Sequence, residues 1–535
     1  MSPHRKLPFL GPSDHRYPAH AKIVATLGPA SEAPDMVSKL IENGVNIFRL
    51  NFSHGDLDEQ LDRLRTVRRV ADGLGRPIAV LGDLQGPKMR VGPVPDLDGS
   101  GGVEVRTGDD VLFKKGQGDA ELVPGDDDLC AVFGTTFNAI FSDVEPGQRV
   151  LVNDGAIRML AVERKRGEEL RCRVTHGGKV TSNKGINLPE SDLSVPAITE
   201  RDWTCVEWGV RHGVDFFALS FVRTPDEILT LKRRLRELCA ELHCDIKDPF
   251  AHDIPVVAKI EKPQALVNLE AIVEVVDGIM VARGDLGVEM EVHQVPVAQK
   301  HIVEMCAEHG RPCIVATQML ETMIEEPAPT RAEASDVANA IFDGADAVML
   351  SGETAVGKHP DLVVETMARI VRSAEDWIDH QPHEPTAPSK LTEYPFRSAA
   401  LAAGAWHITK RVAAKLCVVW SQSGGMARYL SQHDFRVPVV AFTSSDLAAR
   451  RMALFGGVTP IRVDPPGDAS LAAWTDQVEE LIIARGWVEE GDPVVLCAGK
   501  PLGSIKAQDI LAILRVGDSN SGFRGHDDEP DPRMR

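Results

Sequence analysis

The chain has 535 residues, 43% of them hydrophobic, and a formal net charge of −20. The length exceeds one ordinary domain and the apolar share suffices for several cores, while the acidic balance argues against a surface that coats nucleic acid and no apolar run approaches a membrane span. Nine cysteines without a CxxC pair, behind an N-terminus with no hydrophobic signal core, fit reduced thiols in a cytoplasmic protein.

Residues 1–20, Pro- and His-rich, read as a tail. From Ala21 the strand KIVATLG leads through a helix to a second strand, NIFRLNF, and then SHG. A helix is expected over Asp56–Gly73, with Leu57, Leu61, Leu64, Val67 and Val70 at helical spacing on its apolar face. A third strand, IAVLGDLQG, follows. Between 91 and 189 the pattern changes to short strands separated by Gly and Asp: VEVRTGD, DVLFKK, RVLVNDG, IRMLAVE and ELRCRVTHGG. In the last, Leu170, Cys172 and Val174 alternate with Arg171 and Arg173, which is a half-buried β pattern. Such regular short strands predict a small β-barrel inserted into the first unit, hanging from two loops as a lid.

Helix–strand alternation resumes at Thr199, which with Asp202 makes a capping box; Thr330 and Glu333 make another. Strands are expected at VDFFALSF, VVAKIE, GIMVARGD, PCIVAT and AVMLSGET. With the three before the insertion they make eight βα repeats, the number that closes a TIM (β/α)8 barrel over 21–90 and 190–380. An open doubly wound sheet is the alternative. All but the first end in polar residues: Arg49 to Ser53, Asp83, Ser220, Lys259 with Glu261, Asp285, Thr317, and Ser351 with Glu353. In a barrel these ends share the face that holds ligands.

The densest group lies in 255–289. Lys259 and Glu261, two apart, share one side of the pleat, and Arg283 and Asp285 end the next strand. The two acids offer oxygen ligands to a hard divalent cation. Gly284 and Gly287 suggest a tight turn whose N–H groups meet an anion at the next helix start. After QPHEPTAPSK a smaller α/β unit spans 390–517, with strands in KLCVVW, VPVVAF, VTPIRV and DPVVLCAG. Its SQSGGMA turn reads equally as a phosphate cradle or a plain turn. Residues 518–535 have the composition of a disordered tail. The Met and Leu residues of QMLETMI, Trp203 and Trp208 read as packing residues, and His301 and His309 lack metal-ligand partners.

These segments resemble the pyruvate kinase family. The resemblance is carried by KIVATLGPAS (22–31), FRLNFSHG (48–55), GDLQGPKMR (82–90), NKGINLP (183–189), VAKIEKP (257–263), MVARGDLGVE (280–289), ATQMLETM (316–323), PTRAEASDVANA (329–340) and MLSGET (349–354). It implies transfer of a phosphoryl group from phosphoenolpyruvate to ADP, giving pyruvate and ATP, in a cytoplasmic homotetramer. It further implies Mg2+, with Mn2+ as a substitute, on Glu261 and Asp285. Arg49 and Lys259 would face the phosphoryl group; Gly284, Asp285 and Thr317 would take the substrate carboxylate, and Thr317 with Lys259 would relay the proton. Asn51, His54, Arg90 and Lys184 would contact the nucleotide. By the same resemblance Asn51, Ser53, Asp83 and the Leu84 carbonyl look like the family's monovalent-cation site.

Three departures stand out. Lys88 follows Gly86-Pro87 where potassium-dependent members have Glu; its ammonium would replace the charge of K+, so K+ is expected not to be required. Asn183 precedes Lys184 where the family often has two lysines. Ser421, Ser423 and Gly424 keep the shape of the effector-phosphate loop but lack its Arg, and GKPLGSIKAQDI strays from the family ending, with Lys500 and Lys506 as added charges. A sugar-phosphate or nucleotide effector is compatible with that loop. A lyase or aldolase barrel would need no lid and no Lys184; a sensor barrel without catalysis would have lost one of Lys259, Glu261, Asp285 or Thr317.

Overall fold

The computed structural model describes residues 16–96, 101–123, 129–242, 252–381, 388–393, 396–433, 437–500, 502–504 and 508–524. Eight parallel strands close a barrel: β1 (Lys22–Thr26), β2 (Val45–Asn51), β3 (Ala79–Asp83), β4 (Phe216–Leu219), β5 (Val256–Ile260), β6 (Gly278–Ala282), β7 (Cys313–Ala316) and β8 (Ala347–Leu350). β8 pairs with β1, Lys22 beside Ala347, so the expected barrel forms and the open sheet does not. The strands are near-continuous Val, Ile, Leu and Ala because both their faces are covered. Val24, Ile47, Leu81, Phe216, Val257, Met280 and Met349 fill the interior, as bulky residues do in a packed barrel.

Both capping boxes are present: Thr199 opens the helix Glu200–His212 and Thr330 opens Arg331–Phe342. The second helix runs over Leu57–Leu74 from an Asp56 cap to a left-handed Gly75. Its buried face is Gln60, Arg63, Leu64, Val67 and Ala71, a rotation from the expected stripe that leaves Leu57 and Val70 only half-buried. Arg63 is drawn into that face by Glu32, 2.9 Å from its Nε.

The inserted residues carry every expected strand, with four more at Glu121–Leu122, Leu129–Phe133, Gly178–Val180 and Ile186–Asn187. They form a seven-stranded sheet and a two-stranded sheet around one core that includes Val111, Phe133, Phe141, Leu170 and Cys172. Residues 90–92 bridge the two sides of the larger sheet, Arg90 pairing with Gly185 and Val91 with Thr135, in keeping with the expected small β-barrel. The two-residue strands were invisible to alternation.

The C-terminal unit has parallel strands β9 (Leu416–Trp420), β10 (Val439–Thr443), β11 (Val458–Arg462) and β12 (Pro493–Lys500), plus an unexpected antiparallel β13 (Gln508–Arg515) on the β12 edge. It seats on the amino-terminal end of the barrel, where Ala453 and Leu454 join the barrel's interior cluster. The tails are shorter than expected. Tyr17 packs on Trp487, and residues 518–524 are held by Arg524, paired with Asp476 and Glu479, and by Phe523 against Trp474. Residues 1–15, 525–535 and Lys506 lie outside the described residues.

Candidate active site

The polar strand ends meet at the carboxyl end of the barrel. Arg49, at the end of β2, puts Nε 2.6 Å from Asp83 Oδ2 and Nη1 3.1 Å from Thr26 Oγ1. Lys259 on β5 reaches Asp83 Oδ1 at 3.4 Å and Glu261 Oε1 at 2.8 Å, and donates to Ser220 Oγ at 2.8 Å. Asp83 and Glu261 are both buried. Burial opposes ionisation of Asp83, but Lys259 and Arg49 outweigh it and hold its carboxyl below the usual range. Lys259 resolves the same contest in the opposite sense: burial disfavours its charge, and Asp83 and Glu261 raise it above the ordinary lysine value. Two cations thus sit locked on fixed acids, preorganised to receive an anion.

Glu261 differs from Asp83. Burial pushes its carboxyl up to about 7; Lys259 and the Phe221 N–H oppose that, and the neighbouring Asp285 carboxylate adds to it. Two acids that repel in a buried site are a donor set suited to a hard divalent cation, which removes the repulsion. No group of three or more His, Cys, Asp or Glu among the described residues forms a metal site, so a cation here would draw the rest of its shell from substrate oxygens or water.

The segment after β6 departs from expectation. Strand passes directly into the helix Arg283–Glu289, with no tight turn, and neither Gly284 nor Gly287 has positive φ. Gly284 lies against Thr317: a Cβ on it would stand 3.4 Å from Thr317 Oγ1, an ordinary contact. Its N–H donates to that hydroxyl at 2.7 Å, so Thr317 and Gly284 meet each other where a shared substrate carboxylate was expected. Arg283 turns out of the site to Asp336 and holds the Ala316 and Thr317 carbonyls. Thr317 and Phe221, the residues that follow β7 and Ser220, have φ of 70° and 54°, sparsely populated conformations that cluster at functional sites.

The monovalent-cation residues are engaged with the protein itself. Asn51 Oδ1 accepts from Ser53 N, the Leu84 carbonyl accepts from Ser220 Oγ at 2.7 Å, and Asp83 holds Arg49 and Lys259. Lys88 is lowered from the usual lysine value by desolvation and then Arg90, with Asp285 and Asp83 pulling the other way. His54 is lowered by desolvation and then Lys88, Arg49 and Arg90. Each group feels the next across one site. A cleft of about 290 Å³ between barrel and insert is lined by Lys88, Arg90, Lys184, Phe221, Arg223 and Asp285. Arg223 fastens its wall by donating to the Leu193 and Val195 carbonyls of the returning chain.

Family comparison decides between a kinase and another barrel enzyme. The family model for the pyruvate kinase barrel domain matches residues 19–364, and that for its alpha/beta domain matches 399–514. The chain belongs to the pyruvate kinase family. It is 39% identical over 500 residues to the pyruvate kinase of Mycobacterium tuberculosis, covering 93% of this chain and 99% of that one. It is 36% identical over 497 residues to that of Thermotoga maritima, with 92% and 99% covered. A solved pyruvate kinase from Cryptosporidium parvum superposes with a TM-score of 0.82 at 28% identity, covering 93% of this chain and 96% of that one. Like the pyruvate kinases it matches, the chain is a phosphotransferase of the TIM-barrel class.

Ser220, named in the sequence only as a polar strand end and given no role there, bridges Lys259 to the Leu84 carbonyl through its hydroxyl. Glu353, likewise named only as a polar strand end, accepts from Leu320 N and Ser351 N and so braces the loop after Thr317. Ser421, Ser423 and Gly424 lie at the start of the helix Gly425–Gln432. Ser421 Oγ accepts from Ala427 N and Ser423 Oγ from Gly425 N, so the loop's hydroxyls cap its own helix. His309 Nδ1 bonds the Met305 carbonyl, and Met319, Leu320 and Met323 are core. No helix of the described residues is long and apolar enough to cross a membrane.

Proposed function

We propose that this chain transfers the phosphoryl group of phosphoenolpyruvate to ADP, giving pyruvate and ATP, with Mg2+ and without a requirement for K+. The observation that carries the reading is the locked set Arg49–Asp83–Lys259–Glu261 at the carboxyl end of a pyruvate kinase barrel. The transferring group spreads negative charge over three equatorial oxygens, and Arg49 and Lys259 supply two fixed cations to meet it. Removing either is expected to cost on the order of 3 kcal/mol of transition-state stabilisation. Glu261 and Asp285 would hold Mg2+, or Mn2+ in its place. When bound, the ion neutralises charge on the phosphoryl and enolate oxygens.

Arg90 and Lys184 line the cleft, and they and His54 would receive the nucleotide phosphates. Loss of the phosphoryl group leaves an enolate that needs a proton at its methylene carbon, and Thr317, with Lys259 close by, supplies the relay. For K+, the engaged state of Asn51, Asp83 and Leu84, together with the Lys88 ammonium beside Asp285 and Asp83, supports independence. The deciding experiment is pyruvate formation from phosphoenolpyruvate and ADP with Mg2+, for wild type and Lys259→Met. Folded wild-type protein without activity would overturn the reading, and so would full activity in the variant.

A further inference from the structure

One oxygen of Glu289 gathers three segments. Its Oε1 accepts from Lys262 Nζ at 2.6 Å and from Asn187 Nδ2 at 2.9 Å. Glu289 is 1% exposed and Lys262 3%, and Glu289 Oε2 is buried with no hydrogen-bond partner among the described residues. Lys262 directly follows Glu261. Glu289 ends the helix that carries Asp285. Asn187 lies on the last strand of the insert, three residues beyond Lys184. All three line the cleft that Asp285 and Lys184 also line.

A buried ion pair is a poor device for stability alone, since desolvation offsets much of the attraction and apolar replacements of similar volume are often neutral. What a short charged contact supplies is a fixed distance and direction. Here it spans the loop after β5 and the helix after β6, the two segments bearing the proposed metal carboxylates.

We propose that Glu289 is a positioning residue. With Lys262 it sets the separation of Glu261 and Asp285, and through Asn187 it docks the insert, with Lys184, over them. The proposal rests on the reading of Glu261 and Asp285 as ligands for a divalent cation. Groups that orient metal ligands typically matter at 10–100-fold in metal affinity, which sets the expected size. The two branches separate: Glu289→Gln should disturb both, and Asn187→Ala only the docking of the insert.

The test is Mn2+ binding to the full-length protein without substrates, followed by the electron paramagnetic resonance signal of free Mn2+. Glu289→Gln is expected to bind about tenfold or more weakly than wild type. Because that variant leaves the Lys262 ammonium buried and unpaired, the double variant Lys262→Met/Glu289→Leu is measured beside it. It leaves no unpaired charge, should keep the wild-type circular dichroism, and should show the same weakening. Asn187→Ala is expected to bind Mn2+ like wild type and to raise KM for ADP several-fold at unchanged kcat. Wild-type Mn2+ affinity in a folded Glu289→Gln or double variant overturns the positioning of the carboxylates; wild-type KM for ADP in Asn187→Ala overturns the docking. If the wild-type protein itself binds no Mn2+, the cation reading of Glu261 and Asp285 fails and the proposal falls with it.

Discussion

Arg283 Nη2 donates to the Thr317 carbonyl at 2.8 Å, and Thr317 stands at φ 70°, a conformation that β-branched residues avoid. The guanidinium is itself fixed by Asp336, at 2.7 Å. A side chain turned away from Glu261 and Asp285 therefore holds the strained threonine whose hydroxyl accepts from Gly284 N. Arg283→Ala is expected to let Thr317 relax and to lower kcat about 10–100-fold with a smaller effect on KM for ADP. Steady-state kinetics check it, and an unchanged kcat in folded variant would show that Thr317 keeps its conformation unaided.

Thr317→Ala separates the two chemical steps. If the hydroxyl relays the proton, exchange of the pyruvate methyl protons with deuterium oxide, catalysed by the protein with Mg2+, should fall by about 100-fold or more. Nuclear magnetic resonance of pyruvate reads the exchange directly. Exchange at the wild-type rate would move the relay to another group. The first candidate would then be Ser351 at the end of β8, whose Oγ is buried without a hydrogen-bond partner among the described residues.

The barrel was legible in the sequence because its strands are doubly buried and all but the first end abruptly in a polar residue. Arg49, Asp83, Lys259 and Glu261 could be grouped from strand ends alone, since in a closed barrel those ends share one rim. What the sequence hid was direction. Arg283 and Asp285 are two apart, yet the strand turns helical at Arg283, so the arginine points away while Asp285 stays with Glu261. Period-two reasoning cannot foresee a strand that passes into a helix without a turn. The Lys262–Glu289–Asn187 contact was hidden for another reason: it joins residues 27 and 102 positions apart, and no local pattern records such a pairing. The insert's two-residue strands, Glu121–Leu122 and Ile186–Asn187, escaped notice in the same way.

Lys88 gives the sharpest prediction about cofactors. In buffer free of Na+ and K+, wild-type activity should match that with added K+ to within about twofold if the Lys88 ammonium, which Asp285 and Asp83 favour in its charged form, supplies the positive charge in place of the ion. Lys88→Glu should lose about tenfold or more without K+ and recover when K+ is added. A wild-type requirement for K+ would refute the substitution of charge, as would a Lys88→Glu variant indifferent to the ion.

Asp215 ties the C-terminal unit to the barrel and predicts how the assembly responds to acid. Its carboxylate, fully buried, accepts from Arg450 Nε at 2.8 Å, Arg68 Nη2 at 2.7 Å and Val80 N at 2.7 Å. Burial opposes its charge, but Arg68 and Arg450 outweigh that and hold the carboxyl below its usual value of 3.8. Between the lowered folded value and 3.8 the unfolded chain binds more protons than the folded one. The stabilisation is therefore complete above about pH 4 and is lost as pH falls through the folded value. Asp215→Asn keeps an acceptor for Val80 but leaves two arginines without their anion. It should cost on the order of 2 kcal/mol at pH 7, less than for a fully buried pair because both arginines reach solvent. Below pH 4 the difference between variant and wild type should shrink, since protonation removes the same charge. Urea unfolding at pH 7 and pH 3 measures both terms, and an equal difference at the two pH values would show that Asp215 does not carry the acid response.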